Sequence, residues 1–101
     1  MVIYVDIDGT IATITPDANY SNAQPIQENI DYINGLYEKG HKIIYWTARG
    51  TETGIDWRDV TVIQFHQWGV KYHGLKFGKP TYDLFIDDKA INAKEVNKCI
   101  L

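Results

Sequence analysis

The hydrophobic positions of this chain follow two patterns. Three short runs are continuous: Val2–Val5, Ile43–Trp46 and Leu84–Ile86. Each is rich in β-branched or aromatic residues, and each is closed by a polar residue, Asp6, Thr47 and Asp87 respectively. Runs of this length suit strands buried on both faces, as in a parallel sheet. Between the first two runs the spacing changes. Ile26, Ile30, Ile33 and Leu36-Tyr37 recur every three to four residues, which predicts a helix with Pro25 near its start and Gly40 past its end. A second helix is predicted from Asp56 to about Trp68, with a broader apolar face (Trp57, Val60, Val62, Ile63, Phe65, Trp68) and Gly69 as its stop. Lys71–Leu75 reads as a further short strand and Asn92–Cys99 as a helical tail. Gly9–Gln24, with its Thr, Pro, Asn and Ser, reads as a loop or small hairpin.

Strand–helix–strand–helix–strand order builds βαβ units with right-handed crossovers, so the expected fold class is α/β with a parallel sheet covered by helices. Ligands of open sheets bind beyond the carboxyl ends of the strands. That rim would collect Asp6, Asp8, Thr47 and the pair Asp87-Asp88. Acids gathered so closely repel one another unless a cation offsets them. A hard divalent ion such as Mg²⁺, which prefers carboxylate and carbonyl oxygens, is the natural counterweight.

Composition narrows the picture. A chain of 101 residues, 45% hydrophobic and 23% charged, fits one globular domain over residues 1–101. Ten Lys+Arg against thirteen Asp+Glu leave a net charge of −3 and no basic stripe, so no nucleic-acid partner is expected. Cys99 is the sole cysteine, which excludes an intrachain disulfide or a cysteine metal cluster, and it reads as an inert small hydrophobe. The apolar start is too short for a signal core, and no stretch approaches the roughly 20 apolar residues of a membrane helix. The chain therefore reads as cytoplasmic, with no membrane partner.

Asp6-Ile7-Asp8-Gly9-Thr10 follows the first run directly. Later come Thr47 at the end of the second run, Lys79 within Phe77-Gly78-Lys79-Pro80, and Asp87-Asp88 at the end of the third. These four elements, in this order, resemble the motifs of the haloacid dehalogenase superfamily, and the resemblance covers the chain from Val2 to Asp88. It implies a three-layer Rossmann-like fold with a central parallel sheet. The intervals from Asp8 to Thr47 and from Thr47 to Lys79 are each filled by one helix, a strand and loops, so no cap domain is expected.

The resemblance implies a Mg²⁺-dependent phosphomonoester hydrolase. Asp6 would attack phosphorus and form an aspartyl-phosphate, and Asp8 would serve as general acid and then base. Thr47 would bind a phosphoryl oxygen, with Ala48 and Arg49 beside it on the substrate side. Lys79 would neutralise phosphate charge and hold Asp6. Asp6, Asp8, Asp87 and Asp88 are the expected metal ligands, with the choice between Asp87 and Asp88 left open by their adjacency. Tyr45-Trp46-Thr47-Ala48-Arg49-Gly50 and Trp68-Gly69-Val70-Lys71-Tyr72-His73 are similar to small bacterial members linked to capsule and surface-sugar biosynthesis, which implies a sugar or polyol phosphate substrate. Small capless members often form oligomers in which a neighbour covers the open site, so a homo-oligomer is a further expectation.

Plainer readings exist for the same residues. Asp-Gly after a strand is a common turn, and Asp87-Asp88 could be a turn or a helix cap. Arg49 fits a phosphate or substrate-carboxylate contact, or equally a surface ion pair. Trp57 and Arg58 read as structural, although they fall near the site's mouth. Asn19 and Tyr20 lie in the loop that could touch substrate. His41, His66 and His73 lack ligand spacing, and Tyr45, Trp46, Trp68 and Tyr72 read as core. A phospho-acceptor signalling domain of the receiver type shares the acidic pocket, Thr and Lys, but places its acceptor acid on a middle strand. A polynucleotide end phosphatase is the alternative within the superfamily, and an idle binding module the third class.

Overall fold

The computed structural model describes residues 1–98, so Cys99 and the end of the predicted helical tail lie outside the described residues. Three parallel strands, β1 (Val2–Val5), β2 (Lys42–Trp46) and β3 (Gly74–Lys76), form a sheet in the order β1-β2-β3. Helix α1 (Gln27–Glu38) connects β1 to β2, and α2 (Arg58–Trp68) connects β2 to β3. The register pairs Val5 with Tyr45 and Tyr45 with Leu75. Ile11–Thr13 and Gln24–Ile26 pair as a small hairpin through Thr13 N–H to Gln24 C=O at 2.8 Å and Ile26 N–H to Ile11 C=O at 2.8 Å. A short 3-10 helix at Ala93–Lys98 rests against α1. None of the described helices is long and apolar enough to cross a membrane.

The helices end where the sequence expects. Gly40 and Gly69 both have positive φ, +94° and +69°, a conformation open to glycine at little cost. Each lets the chain turn back on its helix: His41 N–H reaches Leu36 C=O at 3.2 Å, and Val70 N–H reaches Phe65 C=O at 2.9 Å.

Both helices cover the same face of the sheet. Ile3, Val5, Ile43, Tyr45 and Leu75 share that face through the strand alternation and the register. Against them pack Ile30, Ile33 and Leu36 from α1 and Phe65 from α2. Successive right-handed crossovers that advance in one direction place their helices on one side. The opposite face carries Val2, Tyr4, Ile44, Trp46 and Lys76, with Tyr4 edge-on to Trp46 at 6.2 Å and Lys76 Nζ donating to the Tyr4 hydroxyl at 3.0 Å. The described residues therefore form two layers rather than three. Val2–Val5 is correspondingly buried on one face only, with Val2 62% and Tyr4 51% exposed.

The third apolar run departs most from expectation. Leu84–Ile86 is not a strand; Leu84 is 76% and Ile86 89% exposed. The third strand is instead Gly74–Lys76, shifted from the expected Lys71–Leu75. His73 explains the shift: its N–H donates to Ile43 C=O at 2.8 Å, its Nδ1 accepts the Ile43 N–H at 3.0 Å, and its ring stacks on Tyr37. That side chain occupies the β2 edge before Gly74 and takes the place of regular pairing.

Tyr45 is fully buried with its ring edge-on to Phe65 and Tyr72, and among the described residues its hydroxyl has no hydrogen-bond partner. Burial pushes that phenol's pKa up. A buried, unpaired hydroxyl costs stability, whereas the phenylalanine isostere carries no such penalty. Tyr45→Phe should raise unfolding stability by about 1 kcal/mol in urea titrations; a lower midpoint would show that the hydroxyl is satisfied.

Candidate active site

The site is built at the carboxyl end of the sheet, where three strand ends stop in polar residues. Asp6 is the first residue past β1, Thr47 the first past β2, and Lys79 follows β3 by a short turn. Backbone pairing continues past the strands. Thr47 N–H donates to Lys76 C=O at 2.9 Å, and Lys79 N–H donates to Thr47 C=O at 3.1 Å. The Thr51 hydroxyl donates to Lys79 C=O at 2.7 Å. These bonds hold Lys79 at the rim and aim its side chain at β1. Its Nζ stands 3.3 Å from Asp6 Oδ2, and the other Asp6 oxygen accepts the Ile7 N–H at 2.8 Å. The Asp6 carboxylate retains over a third of its exposure, so an incoming group can reach it.

Asp8 is carried inward by the turn that follows. The N–H groups of Thr10, Ile11 and Ala12 all converge on Ile7 C=O within 3.1 Å, and Gly9 adopts φ +84° with its N–H on Ala12 C=O at 2.7 Å. Both Asp8 oxygens then meet the fork of Arg49, Nε at 2.9 Å and Nη2 at 2.9 Å. Nη1 of Arg49 donates to Thr61 Oγ1 at 3.0 Å and Gln64 Oε1 at 2.7 Å. The Arg49 side chain is 0% exposed. The ion pair is present but enclosed rather than on the surface, and the guanidinium's four N–H bonds all go to protein acceptors. Tyr20 lies over that guanidinium at 4.9 Å and edge-on to Trp57 at 5.0 Å. Burial first, then the Asp8 carboxylate, pushes the Tyr20 phenol's pKa above its ordinary value.

Thr61 and Gln64 are the residues that sequence reasoning missed. Their signal was visible as the irregular apolar face of α2, where two polar residues three apart take core positions. Thr61 is fully buried and Gln64 nearly so, because Arg49 needs acceptors there. The Gln64 amide also donates to Tyr20 C=O at 2.6 Å, tying α2 to the loop after Asp8.

A cleft of about 300 Å³ opens beside Arg49, lined by Gly50, Thr51, Ile55, Trp57, Arg58 and Phe77. Arg58 lies over the Phe77 ring at 4.7 Å. A second cleft of about 160 Å³ lies across Trp57, between Ala48, Tyr20 and Thr81. Ala48 thus lines the second cleft with Tyr20 and Trp57 as its aromatic walls, and neither cleft is lined by Asp6, Thr47 or Lys79. Gly50 shapes both clefts. Its φ is +81°, and an added Cβ would stand 2.0 Å from Ile55 C=O. Gly78 shares the positive φ but has open space around it. Gly50→Ala should therefore cost about 2 kcal/mol or more in denaturant unfolding, while Gly78→Ala should cost about 1. Equal costs would show that the Ile55 carbonyl gives way.

The expected metal ligands do not come together within one chain. Among the described residues no three His, Cys, Asp or Glu side chains stand where one ion could be held. Asp6 is shared between Ile7 and Lys79, and Asp8 is wholly engaged by Arg49. Asp87 and Asp88 are exposed, and Asp87 Oδ1 accepts the N–H of Lys89 at 2.7 Å. Their separation follows from Leu84–Ile86 lying outside the sheet. Of the other histidines, His41 Nδ1 contacts the N-terminal amine and His66 is exposed on α2.

No family model and no curated protein sequence matches this chain. Solved structures do. An MCSG target from Vibrio cholerae superposes with a TM-score of 0.88 at 25% identity, covering 99% of this chain and 89% of its own. A chain of the Pnkp1/Rnl/Hen1 complex superposes with a TM-score of 0.63 at 20% identity over 94% of this chain. This chain spans only 32% of that one, and the likeness is one of fold.

Proposed function

We propose that this chain is a phosphomonoester hydrolase in which Asp6 accepts the phosphoryl group. The observation that carries the reading is the Asp6–Lys79 pair at the sheet rim, 3.3 Å apart, with Thr47 on the neighbouring strand end and Asp8 two residues on. An exposed carboxylate beside a fixed ammonium has the two parts that phosphoryl transfer needs, a nucleophile and compensation for phosphate charge. The Thr47 hydroxyl accepts the Arg49 N–H at 3.1 Å, which leaves its own proton to donate to a phosphoryl oxygen.

The chemistry runs in two displacements. An Asp6 oxygen forms a bond to phosphorus as the bond to the leaving oxygen breaks, and Asp8 delivers a proton to that oxygen. Water then attacks phosphorus, Asp8 takes the water's proton, and the Asp6 carboxylate departs. Each Asp8 oxygen accepts one N–H from Arg49 and keeps a second lone pair through which a proton can be exchanged. Among the described residues of one chain, the divalent ion expected from the acidic motifs has no complete donor set.

The open rim and the −3 charge favour a small substrate, and we place a sugar or polyol phosphate first. The test is a phosphate-release screen with and without Mg²⁺ over sugar, polyol and nucleotide phosphates and 3′-phosphorylated oligonucleotides. Turnover on small phosphates supports this reading. Turnover confined to oligonucleotides replaces it with end processing, and a stable phosphoprotein without turnover replaces it with a receiver-type role.

A further inference from the structure

Two unpaired features of this molecule match each other. Among the described residues the outer edge of β1 has no neighbouring strand, and Val2 and Tyr4 beside it are exposed. A row of free backbone N–H and C=O groups is a template for another strand. Leu84-Phe85-Ile86 is a β-forming run with 76%, 48% and 89% exposure, in a segment exposed from residue 80 to residue 92. Apolar residues left out of a core in this way call for a cover.

The run cannot cover its own β1 in the orientation that serves the site. To bring Asp87 beside Asp6, Leu84–Ile86 must lie parallel to β1, with Leu84 beside Ile3 at the far end of the strand, roughly 10 Å below the rim. The chain, however, starts from the rim. Lys79 is bonded there to Thr47, its ammonium lies 5.3 Å over the Tyr82 ring, and the Thr81 hydroxyl donates to Glu52 at 3.0 Å. From Thr81 to Leu84 are three residue steps, about 10 Å even when fully extended. Within them the chain would have to turn down, descend and turn up again. Parallel neighbours are normally joined by a dozen residues or more. Past the run, the 3-10 helix holds the chain to α1, so this is an exposed loop tethered at both ends.

We infer that Leu84–Asp88 docks on the open β1 edge of a second copy of this chain, and that Asp87 and Asp88 complete that copy's Asp6 site. In this register Leu84 and Ile86 fall on the helix-covered face beside Ile3 and Val5. Phe85 falls beside Tyr4 on the bare face. Three carboxylates then crowd the single ammonium of Lys79, which is the arrangement that a hard cation such as Mg²⁺ offsets. The exchange is reciprocal in a two-fold dimer. The shared site rests on the phosphatase reading; the docking does not.

Light scattering on the full chain should give a dimer. In a Cys99→Ser background, Tyr4→Cys with Phe85→Cys should oxidise to a covalent dimer on non-reducing gels. A monomer at every concentration, an intrachain disulfide, or a folded dimer that forms no disulfide each overturns the docking. Insertion of about a dozen flexible residues between Asp83 and Leu84 should convert the dimer to a monomer, because the run can then reach its own β1; an unchanged dimer shows that other contacts hold the copies. Co-refolding Asp6→Asn with an Asp87→Asn/Asp88→Asn copy should restore about a quarter of wild-type turnover, one site in four at random pairing in a two-fold dimer. An active wild type with a dead mixture overturns the shared site. An inactive wild type overturns the phosphatase reading and leaves the disulfide result to decide the docking.

Discussion

Asp6→Asn should abolish phosphate release, by roughly 10⁴-fold or more, with little effect on folding. The substitution is nearly isosteric, and the amide oxygen can still accept the Ile7 N–H. On the proposed mechanism the nucleophile is lost, because an amide oxygen does not displace an alkoxide from phosphorus at a useful rate. The Asp6–Lys79 pair is partly solvated, so its loss costs little stability. The unfolding free energy should therefore stay within about 0.5 kcal/mol of wild type while kcat collapses. Retention of more than a tenth of the activity would mean that another group accepts the phosphoryl group.

Arg49→Ala should have the largest effect on stability. Arg49 is wholly enclosed and bonds Asp8, Thr61 and Gln64 at once. Its removal leaves the Asp8 carboxylate without its partner and two acceptors on α2 unpaired in a low-dielectric pocket. Breaking a buried pair from one side costs about 3–5 kcal/mol, and the residual exposure of Asp8 places the expected loss near the lower figure. Arg49→Lys should recover only a small part, since a single ammonium cannot span both Asp8 oxygens and the two acceptors on α2. Urea unfolding of the two variants decides this. A loss under about 1 kcal/mol for Arg49→Ala would show that water replaces the guanidinium.

Much of this arrangement was legible in the chain. The apolar runs Val2–Val5 and Ile43–Trp46 became adjacent parallel strands, and α1 and α2 ended at Gly40 and Gly69. Asp6, Asp8, Thr47 and Lys79 met at one rim, as strand ends and their short turns dictate. The role of Arg49 was not legible. An arginine two residues past a strand end looks the same whether it faces solvent or protein, and the choice fell to Thr61 and Gln64 on a helix far along the chain.

Leu84–Ile86 teaches the converse. Its pattern is that of a strand, but pairing needs a neighbour and a path, and local composition encodes neither. By itself the sequence determined which segments can be strands and helices and which groups stand at their ends, because period and turn chemistry are local. Only the tertiary structure decided that both helices share one face, that Arg49 turns inward onto Asp8, and that Leu84–Ile86 lies off the sheet, because those depend on distances between parts remote in sequence.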